Sequence, residues 1–345
     1  MAPTLVMTGQ HPQLDPADYR LEHYRTVRLD CTGQNDPHAH VGAVSKAVLS
    51  VLLGASPDLV VVQGDTSSAL GGALAAKMAG VAIAHVEAGL RSHDRRRPWP
   101  EEEFRVAIDR DSDLLFAPTE LSEANLRRER VRGEVHVTGN SGIDAALAVR
   151  RKIERRSTKQ GPSLLVTCHR RENWGAGISG IAEALKAIAA EKLARVEVVL
   201  HPNPELSGYI RSLLAGEAGI TMKQPFSHSQ MVEAMVAADL LLSDSGGIQE
   251  EAAAIGVPLL VLRERTERPE AIACGTLELV GTDPDGIVNA VRRRLGSKPN
   301  HVEALPFGDG RAGERIAAIV TEWLAAKDLD ETASPFPESR RRANA

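Results

Sequence analysis

The feature of this sequence that most constrains its fold is the alternation of short apolar runs with longer amphipathic stretches. The runs read as strands and lie at residues 4–7, 59–62, 82–86, 114–117, 134–137, 163–167, 196–200, 239–242 and 258–262. Several are continuously apolar, which is typical of parallel strands covered by helices on both faces. The pattern therefore predicts an α/β protein built from repeated βα units.

Predicted helices separate these strands, for example at 41–53, 66–78, 119–130, 180–190 and 231–238. The charged stretch 151–161 reads as a boundary between two domains. We therefore predict two Rossmann-like domains at 1–150 and 151–308, followed by a C-terminal helix and a tail. The helix at 309–326 is expected to pack back on the first domain, and residues 327–345 are expected to form a flexible tail.

Composition excludes several classes of protein. The 345 residues carry a net charge of −5, so no overall basic field attracts nucleic acid. The cysteines, Cys31, Cys168 and Cys274, are far apart and follow neither a disulfide nor a metal-ligand spacing. No uncharged apolar stretch approaches the roughly 20 residues of a membrane helix. These features predict a cytoplasmic protein with no nucleic-acid partner, no membrane partner and no metal site.

Polar clusters follow four of the predicted strands. In open α/β sheets, ligands bind outside the carboxyl ends of the strands, so these exits are where chemistry is expected. The clusters are Gln63-Gly64-Asp65-Thr66, His85-Val86-Glu87-Ala88-Gly89 continuing to Pro98-Trp99-Pro100-Glu101-Glu102, Thr167-Cys168-His169-Arg170-Arg171-Glu172-Asn173, and Ser243-Asp244-Ser245-Gly246-Gly247.

Three acids stand at successive exits of the first sheet, and each has an alternative explanation. Asp65 is suited to capping the next helix, and Glu101 follows Pro100 at a helix start, where the dipole favours an acid. Glu87 lies among Ala, Gly and Val, where an unpaired carboxylate is costly. We expect the three acids to converge on one crevice, which favours a functional reading of the set.

Two further exits are suited to an anion. Gly246 and Gly247 follow Ser245 where a strand passes into a helix, so backbone N–H groups there can approach a phosphate at the positive end of the helix dipole. A tight turn is the alternative explanation for one of the glycines. His169 places a titratable ring beside the cations Arg170 and Arg171, a combination suited to a departing phosphate.

These motifs occur in the order found in a known family. They are QGDTSSA (63–69), HVEAGLRS (85–92), PWPEE (98–102) with Arg105, TGNSGIDA (138–145), TCHRREN (167–173), HPNP (201–204), SDSGGIQEEA (243–252) and TERPEA (266–271). The chain resembles the non-hydrolysing UDP-N-acetylglucosamine 2-epimerases over about residues 5–325. The resemblance implies a two-domain fold of the GT-B glycosyltransferase type, with the active site in the interdomain cleft.

The resemblance also implies a reaction. Family members interconvert UDP-N-acetylglucosamine and UDP-N-acetylmannosamine, which serve as precursors of cell-surface polysaccharides. UDP is eliminated to leave 2-acetamidoglucal and is then added back after reprotonation of the second carbon from the opposite face. The family uses no cofactor and usually forms homodimers, so we expect both of this chain.

Residue by residue, the resemblance assigns two sets of functional side chains. Asp65, Glu87 and Glu101 match the acid/base and sugar-binding carboxylates, and His169 matches the histidine at the leaving diphosphate. The residues that match the UDP site are His201, Ser245, Gly246, Gly247, Glu251 and Arg268, with Arg170 as a further cation. Among them, Glu251 matches the acid that holds the ribose.

The chain departs from the family pattern at its start. Family members begin with a strand and a Gly-Thr-Arg-Pro-Glu type loop that carries two cations, whereas the first motif here, at 8–11, matches the second strand exit. If this start is authentic, we expect a central strand and those cations to be missing from the first domain. A misplaced start codon, a shortened sequence and partial repair by a neighbouring element are the alternative explanations.

A second departure concerns a regulatory loop. Gln10, His11 and Gln13 match a loop that binds a second substrate molecule in some members, but Pro12 stands in place of its arginine. We therefore predict a rate that depends hyperbolically on UDP-N-acetylglucosamine, and a strongly sigmoidal curve would refute this.

Three alternative functions stay open at this stage. A hydrolysing epimerase would release free N-acetylmannosamine and UDP, and a GT-B glycosyltransferase would share the glycine loop but need an acceptor. A catalytically impaired UDP-sugar-binding protein would bind UDP without turnover.

Overall fold

The computed structural model describes residues 2–11, 14–19, 21–96, 98–153, 161–170, 173–295 and 305–333. It has the predicted α/β class, with parallel strands joined by helices. The chain divides into two compact units. Unit 1 comprises Met1–Gly89, His93–Thr138 and Gly313–Ala345, and unit 2 comprises Leu90–Ser92 and Gly139–Ala312.

The strands are β1 (Thr4–Met7), β2 (Arg25–Arg28), β3 (Leu59–Gln63), β4 (Ala82–Val86), β5 (Leu114–Ala117), β6 (Glu134–Val137), β7 (Ser163–Thr167), β8 (Arg195–Val199), β9 (Ile220–Lys223), β10 (Leu240–Ser243), β11 (Leu259–Val261) and β12 (Leu277–Leu279). The helices are α1 (Pro37–Ala55), α2 (Ser67–Ala79), α3 (Glu101–Asp111), α4 (Glu120–Glu129), α5 (Ser141–Arg150), α6 (Ala176–Ala190), α7 (Pro204–Leu214), α8 (His228–Ala237), α9 (Gly246–Ile255), α10 (Pro269–Ala273), α11 (Pro284–Leu295) and α12 (Ala312–Ala333), and a 3₁₀ helix spans Pro16–Tyr19.

Unit 1 contains a parallel sheet in the order β3-β4-β5-β6 and a separate parallel pair, β1-β2. Helices α1 and α2 form one core with the inward side chains of β3 and β4, including Val62 and Ile83. Val320 of α12 packs in a second cluster with Phe116 of β5. Neighbouring parallel strands end at the same edge, so the exits of β3 and β4 bring Asp65 and Glu87 side by side.

Unit 2 contains a six-stranded parallel sheet in the order β12-β11-β10-β7-β8-β9. The chain runs outward from β7 to β9, returns to the other side of β7 at β10, and then runs outward to β12. The strand order therefore reverses between β7 and β10, and such a switch point opens a crevice at the carboxyl ends of the two strands. The exits at 168–170 and 244–247 flank that crevice.

Three strands escape the sequence prediction, and all three lie at sheet edges. Strand β2 flanks the small sheet, while β9 and β12 are the outer strands of the six-stranded sheet. Each is three or four residues long and contains polar residues, as in the sequence Arg-Thr-Val-Arg of β2. An edge strand is less buried, so it lacks the continuous apolar run that marks the central strands.

Two predicted boundaries differ from the structure. The predicted first domain ended at residue 150, but α5 belongs to unit 2 because its Ile143 and Ala146 pack in hydrophobic clusters of that unit. Residues 327–333, predicted as tail, continue α12, since their sequence holds helix-forming residues and no Gly or Pro. Residues 154–160 of the predicted boundary and 334–345 of the predicted tail lie outside the described residues. Helix α12 belongs to unit 1 from Gly313 onward.

Helix α1 is long and apolar enough to cross a membrane by length and composition alone. Its Val44, Val48 and Leu52 are buried in the core of unit 1 together with residues of α2. This packing is that of a core helix, for which the same apolar content is expected.

Candidate active-site residues

Asp244, the first residue after β10, organises the switch point of unit 2. Its carboxylate is fully buried and accepts the backbone N–H of His169 at 2.7 Å and that of Arg170 at 3.0 Å. It also accepts Nδ2 of Asn173 at 2.9 Å. Asp244 therefore fixes the loop after β7 to the exit of β10. Sequence reading treated it only as the residue before Ser245, because nothing local shows that its partners lie some 70 positions away.

Two histidines predicted for the diphosphate and the nucleotide meet in this part of unit 2. The rings of His169 and His201 make an edge contact with centroids 5.1 Å apart. Burial lowers the pKa of His169, and the neighbouring His201 and Arg170 lower it further against the opposing effect of Asp244. Burial likewise lowers the pKa of His201, although Asp244 raises it. Both rings are therefore neutral hydrogen-bonding groups at neutral pH.

The tautomer of His201 follows from its backbone contact. The N–H of Asn203 donates to Nδ1 of His201 at 3.0 Å, so Nδ1 is the acceptor. In the neutral ring the proton then resides on Nε2, which is left as a donor. A donor of this kind is suited to a phosphate oxygen.

Ser245, Gly246 and Gly247 lie at the start of α9, as predicted. Ser245 occupies the N-cap position, and its N–H donates to Oγ of Ser243 at 3.0 Å. A Cβ on Gly247 would meet nothing within 4 Å, so the first turn is open to a ligand there. The first N–H groups of a helix have no intrahelical acceptor and bear the positive end of the dipole. The arrangement is thus suited to an anion.

Gly246 is required for a different reason. A Cβ there would lie 2.7 Å from Nη1 of Arg268. That guanidinium is buried and cannot move aside easily, because it pairs with Glu250 at 2.5 Å and Glu267 at 2.5 Å. Arg268, predicted as a nucleotide-site residue, is therefore placed directly beneath the glycine turn, held by two carboxylates.

The ion pairs around Arg268 also include Arg170, a second residue predicted for the UDP site. Glu267 also accepts Nη1 of Arg263 at 3.1 Å and Nη2 of Arg170 at 3.4 Å. Glu250 accepts Nδ2 of Asn140 at 2.5 Å. Arg170 and Arg268 thus belong to one ion-pair network in unit 2.

Glu251, predicted as the ribose acid, lies one residue further along α9 and is bonded to a residue that sequence reading missed. Its Oε1 is 2.9 Å from Nε2 of His228, the first residue of α8. Helix α8 begins with a capping box between Ser227 and Gln230, which fixes the position of its first turn.

In unit 1, Asp65 and Glu87 follow the neighbouring strands β3 and β4. Gly64 precedes Asp65, and a Cβ on Gly64 would lie 3.5 Å from Oε2 of Glu87. Glu87 has φ of +71°, a left-handed conformation that is uncommon for a residue with a side chain. Such strain concentrates at functional sites. The N-cap of α2 is Thr66, so capping does not explain Asp65.

Arg105 of α3 holds Asp65 in place. Its Nε donates to Oδ2 of Asp65 at 3.1 Å, its Nη2 contacts the same oxygen, and its Nη1 donates to Glu102 at 3.0 Å. Glu102 is buried, whereas Glu101 is half-buried at the first position of the helix. Arg105 therefore bridges Asp65 and Glu102. The predicted acid, Glu101, is the first residue of the same helix.

The predicted regulatory loop is placed only in part. Oε1 of Gln10 accepts the N–H of Ser68 at 3.1 Å and its hydroxyl at 2.6 Å, so Gln10 supports the start of α2. His11 is exposed, and Gln13 lies outside the described residues, as does Arg171. Among the described residues, no group of three or more His, Cys, Asp and Glu side chains is arranged to hold a metal ion.

Unit 2 therefore has a helix start suited to an anion, and unit 1 has carboxylates at neighbouring strand exits; both features are typical of α/β enzymes that act on nucleotide-linked substrates. Comparison with known families gives the class more closely. The sequence model of the UDP-N-acetylglucosamine 2-epimerase family matches residues 1–321, so the chain belongs to that family. The resemblance to the UDP-N-acetylglucosamine 2-epimerases is therefore confirmed.

Individual relatives agree with this assignment. The chain is 40% identical over 294 residues to the UDP-N-acetylglucosamine 2-epimerase of Salmonella typhimurium, covering 79% of this chain and 78% of the relative. It is similar to the crystal structure of the UDP-GlcNAc 2-epimerase from Neisseria meningitidis bound to UDP-GlcNAc, with a TM-score of 0.83, 31% identity, and coverage of 92% and 91%. The Methanocaldococcus jannaschii enzyme in complex with UDP-GlcNAc and UDP gives a TM-score of 0.82 at 33% identity, with the same coverage. The predicted GT-B fold type is thereby confirmed.

Proposed function

We propose that this chain interconverts UDP-N-acetylglucosamine and UDP-N-acetylmannosamine without net hydrolysis, by eliminating UDP and adding it back through 2-acetamidoglucal. The observation that carries the proposal is the position of Asp65 and Glu87 at the exits of two neighbouring strands, in a chain whose other unit has a helix start suited to an anion. The UDP-GlcNAc bound in the Neisseria relative supports the substrate class.

The proposed reaction requires both the carboxylates of unit 1 and the anion site of unit 2. The hydrogen on the second carbon of the sugar is not adjacent to a carbonyl, so it is poorly acidic. Its removal must be coupled to departure of an anionic leaving group from the anomeric carbon. Inversion further requires that a proton leave one face and return to the other, which calls for more than one acid/base group.

Unit 1 supplies the acid/base groups in this proposal. Asp65, Glu87 and Glu101 serve the sugar, and Arg105 holds the carboxylate of Asp65 in one position. The roles of proton donor and proton acceptor are assigned to this set of carboxylates and not to single members.

Unit 2 receives the UDP in this proposal. The first N–H groups of α9 at Gly246 and Gly247 face the diphosphate, while neutral His169 and Nε2 of His201 donate hydrogen bonds to it as charge develops. Arg170 adds a cation, Arg268 supports the glycine turn from beneath, and Glu251 accepts the ribose hydroxyls.

Product analysis distinguishes this function from its alternatives. Purified protein is incubated with UDP-N-acetylglucosamine, and the sugars are followed by proton and phosphorus NMR. We expect a new UDP-linked sugar with the signals of N-acetylmannosamine and no accumulation of free sugar. Free N-acetylmannosamine with stoichiometric UDP would instead indicate a hydrolysing epimerase. An unchanged substrate that still binds calorimetrically would indicate either a glycosyltransferase lacking its acceptor or a binding protein.

The family resemblance further supports a cytoplasmic homodimer, which we include in the proposal. Light scattering coupled to size exclusion should give twice the 37.0 kDa chain mass. A monomeric mass with full activity would contradict the dimer.

A further inference from the structure

His85 is the most deeply buried titratable ring near the predicted acids. It lies on β4, two residues before Glu87, and has no exposed surface. Burying a polar ring is costly unless each nitrogen has a partner. Both nitrogens of His85 have one, because Nδ1 lies 2.6 Å from Oδ1 of Asp109 and Nε2 lies 2.9 Å from the carbonyl oxygen of Gly64.

These partners define the charge on the ring. A carbonyl oxygen only accepts, so Nε2 carries a proton. Asp109 accepts the N–H of Gly89 at 3.1 Å through its other oxygen, so both of its oxygens have partners. Burial alone would lower the pKa of His85, but the charge and hydrogen bond of Asp109, the Gly64 carbonyl and the charge of Glu87 raise it above its usual value. The raised pKa favours the protonated form of the His85 ring, which then pairs with the buried Asp109 carboxylate.

The pair joins the three segments that carry the predicted acids. The Gly64 carbonyl immediately precedes Asp65, and the Gly89 N–H ends the turn that begins at Glu87. Asp109 belongs to α3, the helix that begins at Glu101. On that helix Arg105 and Asp109 are four residues apart and share a face, so one face of α3 holds both the Asp65 carboxylate and the His85 ring.

We propose that His85 and Asp109 form a positioning pair for epimerisation, setting the carboxylates of Asp65 and Glu87 at the distance and orientation that proton transfer needs. The inference rests on the proposed function. Neither residue touches the substrate in this account. They act by fixing two strand exits and one helix to each other.

The test compares His85→Gln and Asp109→Asn with a matched control, His40→Gln. His40 is also buried in unit 1, but its Nε2 bonds the Cys31 carbonyl at 2.9 Å, outside the acid-bearing turns. Activity is expressed per folded molecule, with the folded fraction taken from circular dichroism and thermal melting. We measure kcat and KM for UDP-N-acetylglucosamine, UDP affinity by calorimetry, and the dependence of kcat on pH.

We expect kcat of both variants to fall about 100-fold, as a small misplacement of catalytic groups does, while KM and UDP affinity change less than about twofold. The kcat profile of His85→Gln should also shift along the pH axis, because a titratable ring whose pKa is raised by Asp109 and Glu87 is replaced by a neutral side chain. His40→Gln should retain the kcat and the profile of the unchanged protein.

The outcomes separate the two proposals. An active parent whose His85→Gln and Asp109→Asn variants keep their kcat and pH profile, and lose only thermal stability, would overturn the positioning role and leave the function intact. A parent that binds UDP but produces no epimer would overturn the proposed function, and the positioning role with it.

Discussion

Nε2 of His228 lies 2.9 Å from Oε1 of Glu251, so the first residue of α8 is bonded to the acid assigned to the ribose. The hydrogen bond to Glu251 raises the pKa of His228 above its usual value, and the charge of Glu251 adds to the effect against partial burial. The folded chain therefore binds this proton more tightly than the unfolded chain does.

This pair predicts a pH-dependent contribution to stability. A group whose pKa is raised by folding stabilises the folded chain fully below its unfolded pKa, and the contribution is lost as pH rises through the folded pKa. A double-mutant cycle of His228→Gln and Glu251→Gln in urea unfolding should therefore show stronger coupling at about pH 5.5 than at about pH 9. Equal coupling at both pH values would contradict the charged pair.

The two glycines at the start of α9 predict opposite outcomes for the same substitution. Gly247→Ala places its Cβ in open space, so the fold should be unchanged while UDP affinity falls at least about tenfold, or 1.4 kcal/mol. Gly246→Ala forces its Cβ against the buried Arg268 guanidinium and should lower the free energy of unfolding by about 1–3 kcal/mol. Calorimetry with UDP and urea unfolding of both variants provide the measurement. Normal UDP binding by Gly247→Ala would exclude this turn as the phosphate site.

The acids of unit 1 predict a loss of turnover without a loss of nucleotide binding. Asp65→Asn and Glu87→Gln should each lower kcat by 10²-fold or more, about the contribution of a general acid or base. UDP affinity should stay nearly constant, because these groups act in the transition state. A parallel loss of UDP affinity would show that they bind the nucleotide instead.

The parts of the fold that could be predicted from the sequence are those in which burial leaves a local pattern. The central strands, such as β7 and β10, appear as apolar runs because helices cover both of their faces. Edge strands such as β2 carry no such run and were missed. The predicted boundary near residue 150 was misplaced. It was placed at a charged stretch, and charge indicates only that a stretch is exposed. Helix α5 belongs to unit 2 because its Ile143 packs in a hydrophobic core of that unit.

The site residues that the sequence suggests are those that follow a strand directly, such as Asp65, Glu87, His169 and the glycine pair, and their roles stay a prediction. The residues that hold these groups could not be predicted, since their partners are distant in sequence. Asp109 is 24 residues from His85, and Asp244 is 75 residues from His169. Whether Glu101 or Glu102 lies on the buried face of α3 beside Arg105 depends on how the helix is rotated. Two consecutive acids in the sequence do not show that rotation.

The central claim is that enzyme carboxylates exchange the hydrogen on the second carbon of the sugar while UDP is detached. Turnover of UDP-N-acetylglucosamine in deuterium oxide, followed by proton NMR and mass spectrometry, tests it most directly. The account predicts one deuterium at the second carbon of the epimerised UDP sugar, and no incorporation with the Glu87→Gln variant. Epimerised product that keeps its original hydrogen at that carbon would contradict the account.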